Sequence, residues 1–444
     1  MAAAATLVAI GVPIPTTAAA GVPPSLEEQA DVVQTVRVDP GVEWTRMVRE
    51  TRPLRINVLA VDPSRVRAVL SNDRIAGRER VNRMGRRVGA VAGVNGTSFA
   101  PSGDPVGVLA LNRELLSEPV DGRSGLIIPA TPPAAPAARV LIAPVRFRGR
   151  VTVNGRSREI DGLDRARGLI PACGGRGGDV PTIRPNAVLT CTDSSELVVL
   201  TPRYGARPPR EGGVEAIVRD GRVTRVRPPG TGPVPRDGLL LTGTGDAARF
   251  LRDVALPRSR VEITLRLTAG GRTLAVAPAG SGPDGSAARG SHGGAGSRTP
   301  RPAPGASQAS PSAVAPVVVL GHGPRLLSAG RAVVRAVAAR EGFDPSQAPS
   351  FFDAFVAGRN PRTLAGVRAD GTLLLVTVDG RRPGWSVGMT LPEAARLMRS
   401  LGARDAVNLA GGGSSTMTIR GEVVNRPSDR VGERPVSNGV FVMP

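Results

Sequence analysis

The sequence predicts an α+β protein that carries an inserted antiparallel β module. Apolar runs of strand length recur along the chain, and the strongest cover residues 54–61 and 373–378. One helix is marked at both ends, because Thr390 and Glu393 form a capping box and Gly402 follows the last apolar position. Between residues 196 and 275, several strand-like runs and the hairpin signal Asp220-Gly221 predict an antiparallel block.

Shorter signals place further elements. Residues 74–88 and 350–358 are predicted to be helical, and residues 363–378 form the clearest hairpin, with its turn at Asp370-Gly371. The return strand of this hairpin is almost entirely apolar, so both of its faces are expected to be covered. Residues 278–313 consist mainly of Gly, Ser, Ala, Pro and Arg and are predicted to be a disordered insertion, because they bury too little apolar surface to offset the entropy of ordering.

Composition excludes several kinds of chemistry. The 444 residues carry a net charge of +21, and all 58 basic residues are arginine. Without lysine the chain has no P-loop, no Schiff-base chemistry and no Ser-Lys nucleophile. The arginines are scattered and aromatic residues make up only 2%, so no specific nucleic-acid partner is expected. The arginine surplus reflects either codon bias or attraction to anionic substrates.

Only two histidines are present. His292 lies in the low-complexity segment, and His322 lies in Leu320-Gly321-His322-Gly323-Pro324. A histidine-rich metal centre is therefore excluded, and a Ser-His-Asp triad would depend on His322 alone. No metal site and no cofactor are predicted, although the sequence leaves a bound divalent cation open.

The amino terminus and the cysteines bear on export. Residues 1–25 are signal-like, with an apolar stretch and a small-residue end, but the usual positive start is missing, which we interpret as a start codon placed too far downstream. No other stretch is long and apolar enough to span a bilayer, so a secreted protein is predicted. Cys173 and Cys191 would pair in an exported protein, and two buried free thiols are the alternative.

Polar residues follow several predicted strands, at positions where a site residue would be held rigidly. The glycine turn, defined here as residues 411–415, follows a predicted strand, and successive N–H groups in such a turn can bind an anion. A nearby arginine would bind phosphate, and a carboxylate could transfer a proton. Each feature alone is as readily a plain turn or a solvated arginine. The candidates are Asn95, Arg362, Thr363, Asp379, Gly411, Gly412, Gly413, Ser414, Ser415 and Arg434.

The ordered succession of these motifs resembles the phosphodiester glycosidase family, as represented by secreted actinobacterial-type members. The resemblance covers roughly residues 45–128 and 316–444, and it rests on the following runs: Val94-Asn95-Gly96 to Phe99, Arg359-Asn360-Pro361-Arg362-Thr363, Val378-Asp379-Gly380-Arg381, Gly388-Met389-Thr390-Leu391, Asn408 to Met417, Val424-Asn425-Arg426-Pro427-Ser428 and Glu433 to Asn438.

The resemblance implies an α+β fold with mixed β-sheets and packed helices. Residues 36–140 and 314–444 would form the two parts of the glycosidase domain, and residues 141–277 would be the inserted module. It also implies an exported hydrolase that releases N-acetylglucosamine-type sugar from a sugar-1-phosphodiester or phosphorylated glycan. Arg362 and the glycine turn would bind phosphate, Asp379 would transfer a proton or activate water, and Asn95 would bind sugar hydroxyls or the amide.

One position departs from the family pattern. The family usually reads Asn-Leu-Asp-Gly-Gly-Gly-Ser-Ser, whereas Ala410 stands in this chain where the aspartate would be. The enzyme is the leading hypothesis. The alternative is a catalytically degenerate protein that binds glycans or anionic polymers.

Overall fold

Strands greatly outnumber helices in the computed structural model, which describes residues 31–120, 122–130, 139–171, 173, 178–182, 190–278, 316–346 and 349–444. The predicted α+β class is therefore correct only broadly, since the fold is mostly β. The α-helices in the described residues are α1 (Val81–Arg87), α2 (Gly245–Val254), α3 (Val334–Val337), α4 (Pro349–Phe352) and α5 (Leu391–Ser400). A π-helical turn (Asp353–Ala357) follows α4, so the predicted helix at residues 350–358 is confirmed as these two short pieces. The predicted signal segment and nearly all of the predicted disordered insertion lie outside the described residues.

The strands are short and belong to several sheets. In chain order they are β1 (Asp31–Asp39), β2 (Val42–Arg49), β3 (Leu54–Val61), β4 (Val66–Leu70), β5 (Ala92–Asn95), β6 (Ser98–Phe99), β7 (Pro105–Val106), β8 (Leu109–Leu111), β9 (Glu114–Ser117), β10 (Ser124–Pro129), β11 (Leu141–Val153), β12 (Arg156–Glu159), β13 (Gly162–Leu163), β14 (Leu169–Pro171), β15 (Val180–Thr182), β16 (Thr190–Thr192), β17 (Leu197–Leu200), β18 (Val214–Arg219), β19 (Arg222–Arg227), β20 (Leu239–Gly243), β21 (Val261–Ala269), β22 (Arg272–Leu274), β23 (Ala277–Pro278), β24 (Pro316–Gly321), β25 (Arg325–Ser328), β26 (Arg331–Ala332), β27 (Arg362–Arg368), β28 (Leu373–Val378), β29 (Ala403–Asn408), β30 (Met417–Ile419), β31 (Glu422–Val423) and β32 (Asn438–Val442).

An eight-stranded antiparallel sheet in the order β1-β2-β3-β28-β27-β29-β25-β26 forms the centre of the fold. The predicted hairpin is confirmed as β27 and β28, paired from Arg362 opposite Val378 to Val367 opposite Leu373. Alternate side chains of β28 enter two different apolar clusters, with Leu375 in one and Val376 in the other. Both faces of this strand are thus covered, as its apolar sequence predicts.

Helix α5 covers one face of this sheet, and its capping box is confirmed. The Thr390 hydroxyl accepts a hydrogen bond from the Glu393 amide, and the Glu393 carboxylate accepts one from the Thr390 amide. The apolar side of α5 packs in the same cluster as Val376 and Leu364. The predicted helix at residues 74–88 is shorter than expected, because only α1 is helical there.

A smaller sheet, in the order β31-β30-β5-β32-β4, packs with the first. Antiparallel pairing places the end of β5 beside the starts of β30 and β32, since Val94 is opposite Met417 and Asn95 is opposite Gly439. In the eight-stranded sheet, antiparallel pairing likewise places the start of β27 beside the ends of β28 and β29. These two groups of strand ends lie next to each other, and we call their junction the shared edge.

The region predicted as an inserted module continues sheets of its surroundings. Strands β11, β21 and β22 lie in one sheet with β8, β9, β10 and β24, so hydrogen bonds cross the predicted boundary at residue 140. A second sheet, in the order β13-β17-β20-β18-β19, is antiparallel except for the parallel pair β13 and β17. The domain boundaries themselves stay a prediction.

The two cysteines form a disulfide between β16 and the segment after β14, with Cα atoms 4.9 Å apart. Pairing, the first of the two alternatives, is therefore correct. None of the helices in the described part of the chain has the length and apolar character needed to cross a bilayer.

Candidate functional site

At the shared edge, predicted site residues lie around the glycine turn. Asn95, at the end of β5, is fully buried, and its side-chain amide donates a hydrogen bond of 2.7 Å to the carbonyl oxygen of Ala410. Its oxygen accepts bonds from the Thr363 hydroxyl at 2.8 Å and the Thr416 amide at 3.1 Å. Asn95 and Thr363 thus fasten the turn to both sheets.

Arg362 and Thr363 are consecutive residues of β27, so their side chains lie on opposite faces of the sheet. The side chain is fully buried, and its Nε and Nη2 atoms donate to the carbonyl oxygens of Met389, Phe355 and Gly358 at 2.7–2.9 Å. The Nη1 atom has no hydrogen-bond partner, and Arg362 forms no ion pair among the described residues. Burial, together with the nearby Arg381, lowers the Arg362 pKa to about 9.

The backbone of the glycine turn lies directly against Arg362. The Gly412 amide donates to the Pro361 carbonyl oxygen at 2.9 Å, and a Cβ atom on Gly411 would lie 3.8 Å from the Arg362 Cα atom. Of the three glycines only Gly412 has a positive φ, of 63°. Gly412, Ser414 and Ser415 use their amides within the protein, whereas no backbone partner outside helices and strands is found for the amides of Gly411 and Gly413 among the described residues.

Asp379 lies just beyond the end of β28 and is almost fully buried. Its carboxylate accepts hydrogen bonds from Trp385 Nε1 at 3.0 Å, from Asn425 Nδ2 at 2.9 Å and from the Arg426 amide at 3.1 Å. Asn425 also donates to the Ser415 carbonyl oxygen at 3.0 Å, which links the carboxylate to the glycine turn. Burial raises the Asp379 pKa, and the three donors oppose that rise.

Arg434 reaches the glycine turn from the other side. It forms a bidentate ion pair with Asp429, with N–O distances of 2.6 and 2.9 Å. A Cβ atom on Gly413 would lie 2.0 Å from Asp429 Oδ1 and 2.4 Å from Arg434 Nη2, so only glycine permits this approach. The exposed Arg381 lies over Gly412 in the same way.

Ser414 and Ser415 are buried beside these groups, and the Ser415 hydroxyl has no partner among the described residues. Ala410, which replaces the family aspartate, is also buried, yet it belongs to none of the apolar clusters of the described residues.

Several residues here are absent from the sequence-based list. The guanidinium groups of Arg55 and Arg426 lie 4.9 and 5.4 Å from the centre of the Trp385 ring. Asn425 and Arg426 occur in a motif quoted for the resemblance, which was the only signal for them.

The groove of about 960 Å³ lined by Asp62, Asp370 and Arg404 lies at the opposite edge of the eight-stranded sheet, away from all of these groups.

Comparisons with known proteins show similarity of the whole fold. The protein shares 30% identity with a Burkholderia pseudomallei protein described as exported, whose crystal structure superposes with a TM-score of 0.71 over 90% of this chain and 76% of that one. A protein of unknown function from Synechocystis, at 20% identity, shows the same fold, with a TM-score of 0.63 over 92% of this chain and 63% of that one.

Two curated relatives match over short segments. A prophage-derived protein of Bacillus subtilis is 42% identical over 78 residues, which are 18% of this chain and 12% of that protein. The mouse N-acetylglucosamine-1-phosphodiester alpha-N-acetylglucosaminidase is 35% identical over 86 residues, which are 19% of this chain and 16% of that protein. The match thus spans less than a fifth of either relative.

The phosphodiester glycosidase family model matches residues 212–443, which include the glycine turn, Arg362 and Asp379. This segment is more than half of the 444-residue chain. The protein therefore belongs to the phosphodiester glycosidase family.

Proposed function

We propose that this protein is an exported hydrolase that cleaves sugar-1-phosphodiesters of the N-acetylglucosamine type in envelope or extracellular glycans. The observation that carries the proposal is the buried Arg362 guanidinium, which has an unpartnered Nη1 atom and no carboxylate partner among the described residues, on a residue whose backbone borders the glycine turn. A buried cation without a counter-charge is costly, so a site that retains one is suited to an anionic ligand. The disulfide and the resemblance to an exported protein support export.

In this proposal Arg362 and the amides of Gly411 and Gly413 hold the phosphate. Asp379 accepts a proton from the water that attacks the sugar carbon, and the phosphate monoester leaves with the bonding electrons. Burial raises the Asp379 pKa and so strengthens the carboxylate as a base. Asn95 contributes by holding the turn in shape, since all three of its hydrogen bonds go to the protein.

The test is sugar release from a synthetic N-acetylglucosamine-1-phosphodiester by the purified protein. Asp379→Asn should lower turnover by about 10² to 10⁴, the usual contribution of a general base. The matched control is Asp370→Asn, at the opposite end of the same hairpin and on the groove at the far edge. Equal losses in both variants, or no release by the wild-type protein, would reject the assignment.

Ala410 favours a second candidate, a degenerate protein that binds anionic glycan polymers without cleaving them. The buried site would then retain the anion-binding guanidinium but lack the family carboxylate. Cell-wall pull-down at low and high salt tests this candidate. Retention without hydrolysis, together with turnover gained in Ala410→Asp, would support it, and hydrolysis by the wild-type protein would reject it.

A further inference from the structure

His322 and Ser98 form a close pair at the shared edge that the proposed mechanism does not use. The Ser98 hydroxyl and His322 Nε2 are 2.7 Å apart, although 224 positions separate them in the sequence. Ser98 lies in β6, just after Asn95, and His322 lies in the turn before β25. Ser98 is half-buried and His322 is buried, so the serine hydroxyl is the more accessible member of the pair.

The imidazole and the Arg362 guanidinium lie near the same aromatic ring, that of Phe355. The Phe355 ring stacks on His322 at a centroid distance of 5.8 Å, and the Arg362 guanidinium lies 5.4 Å from the centre of the same ring. His322 Nδ1, like Arg362 Nη1, is buried and has no hydrogen-bond partner among the described residues. Two nitrogen atoms that can both donate are thus left unsatisfied on side chains that lie near the same ring.

A third unsatisfied atom belongs to Asn408, which is hydrogen-bonded to the residue that follows His322. Asn408 donates to the Gly323 carbonyl oxygen at 3.1 Å, but its own Oδ1 atom is buried without a partner in the described residues. Buried polar atoms are nearly always paired, so several unpaired atoms in one place indicate a missing ligand or water. Since two of these groups are cationic or become cationic on protonation, the charge favours an anion.

We propose that Ser98 and His322 extend the anion subsite of Arg362, so that the oxygen atoms of a bound phosphodiester accept hydrogen bonds from Arg362 Nη1 and from His322 Nδ1. Ser98 orients the imidazole through Nε2, which leaves Nδ1 for the ligand. Access is from the side of Ser98 and Phe355, the partly exposed members. The proposal rests on the assignment of Arg362 to phosphate in the proposed function, but it does not require hydrolysis.

The charges around the imidazole support this linkage between anion and proton. Burial and the guanidinium groups of Arg123 and Arg362 lower the His322 pKa to about 4, so the ring is neutral at pH 7. The carboxylate of Glu341 is also close, because a Cβ atom on Gly323 would lie 2.7 Å from it, but it is already bonded to the Ser124 hydroxyl and amide. A bound anion would offset both guanidinium groups and favour the imidazolium form.

The experiment measures the His322 pKa by NMR in the His292→Gln variant, in which His322 is the only histidine of the chain. Titrations are compared with and without dimethyl phosphate, a diester whose single negative charge does not change between pH 3 and pH 8. A pKa rise of at least about 1 unit is expected, which corresponds to at least tenfold tighter binding to the protonated form. The rise should shrink in Ser98→Ala and persist in Arg368→Gln, an arginine at the far end of β27.

Calorimetry of diester binding completes the test. Binding with an unchanged His322 pKa would overturn the proposal, and so would the absence of any measurable binding of dimethyl phosphate. Sugar release is measured separately. A change in the His322 pKa without sugar release would support the subsite and reject the hydrolase. Sugar release without a change in the His322 pKa would support the hydrolase and reject the subsite.

Discussion

Replacement of Asn95 by leucine tests whether this residue holds the glycine turn or contacts the substrate. The substitution keeps the approximate shape but removes every hydrogen bond of the side chain. The Ala410 carbonyl, the Thr416 amide and the Thr363 hydroxyl would each lose a buried partner. At roughly 1–3 kcal/mol for each unpaired buried group, the free energy of unfolding should fall by about 4 kcal/mol.

Urea denaturation followed by tryptophan fluorescence measures this change. Thr363→Val should lower the free energy of unfolding by less, because it removes only one of the three hydrogen bonds of Asn95. Thr363→Ser should be about as stable as the wild-type protein, because it keeps the hydroxyl. If Asn95→Leu lowers the free energy of unfolding by less than about 1 kcal/mol and mainly raises KM, Asn95 acts on the substrate and the structural reasoning is wrong.

Three further outcomes are expected. Replacing Cys173 and Cys191 by alanine should cost about 3 kcal/mol of stability in the loop-entropy description, measured by urea denaturation, and a loss near zero would contradict it. Burial raises the Asp164 pKa to about 7, so the folded state favours the neutral carboxyl. The stability that this group provides should therefore be lost as the pH rises from about 4 through 7. Asp164→Asn should flatten this decline when denaturation is measured as a function of pH. In turnover assays, the basic limb of any Asp379-dependent pH profile should stay flat, while activity should fall on acidification through a pKa above the ordinary aspartate range, and an unchanged acidic limb in Asp379→Asn would reject its role as base.

Local features of the fold could be predicted from the sequence because their causes are local. The hairpin β27–β28 follows from two apolar runs around Asp370-Gly371, and α5 follows from a capping box, an apolar stripe and a glycine. The extent of the sheets could not be predicted in this way. Pairing of β10 with β11 and with β24 depends on which strands meet in three dimensions, and neither composition nor periodicity encodes that choice.

The candidate site shows the same limit. Motif order selected Arg362, Asp379 and the glycine turn as candidates. It did not show that Asn95 accepts a hydrogen bond from Thr363 or that Arg434 is paired with Asp429. The pairing of His322 with Ser98 had no signal in the sequence, since neither residue lies near the other along the chain. A buried side chain without a partner can be found only once its surroundings are known.

Substitution of Arg362 by glutamine tests the central claim most directly. The measurement is the rate of sugar release from an N-acetylglucosamine-1-phosphodiester, with circular dichroism to verify that the variant is folded and Arg368→Gln on the same strand as the control. The account predicts that release by the wild-type protein is lost in Arg362→Gln and retained in Arg368→Gln. Release by a folded Arg362→Gln variant at the wild-type rate would contradict it.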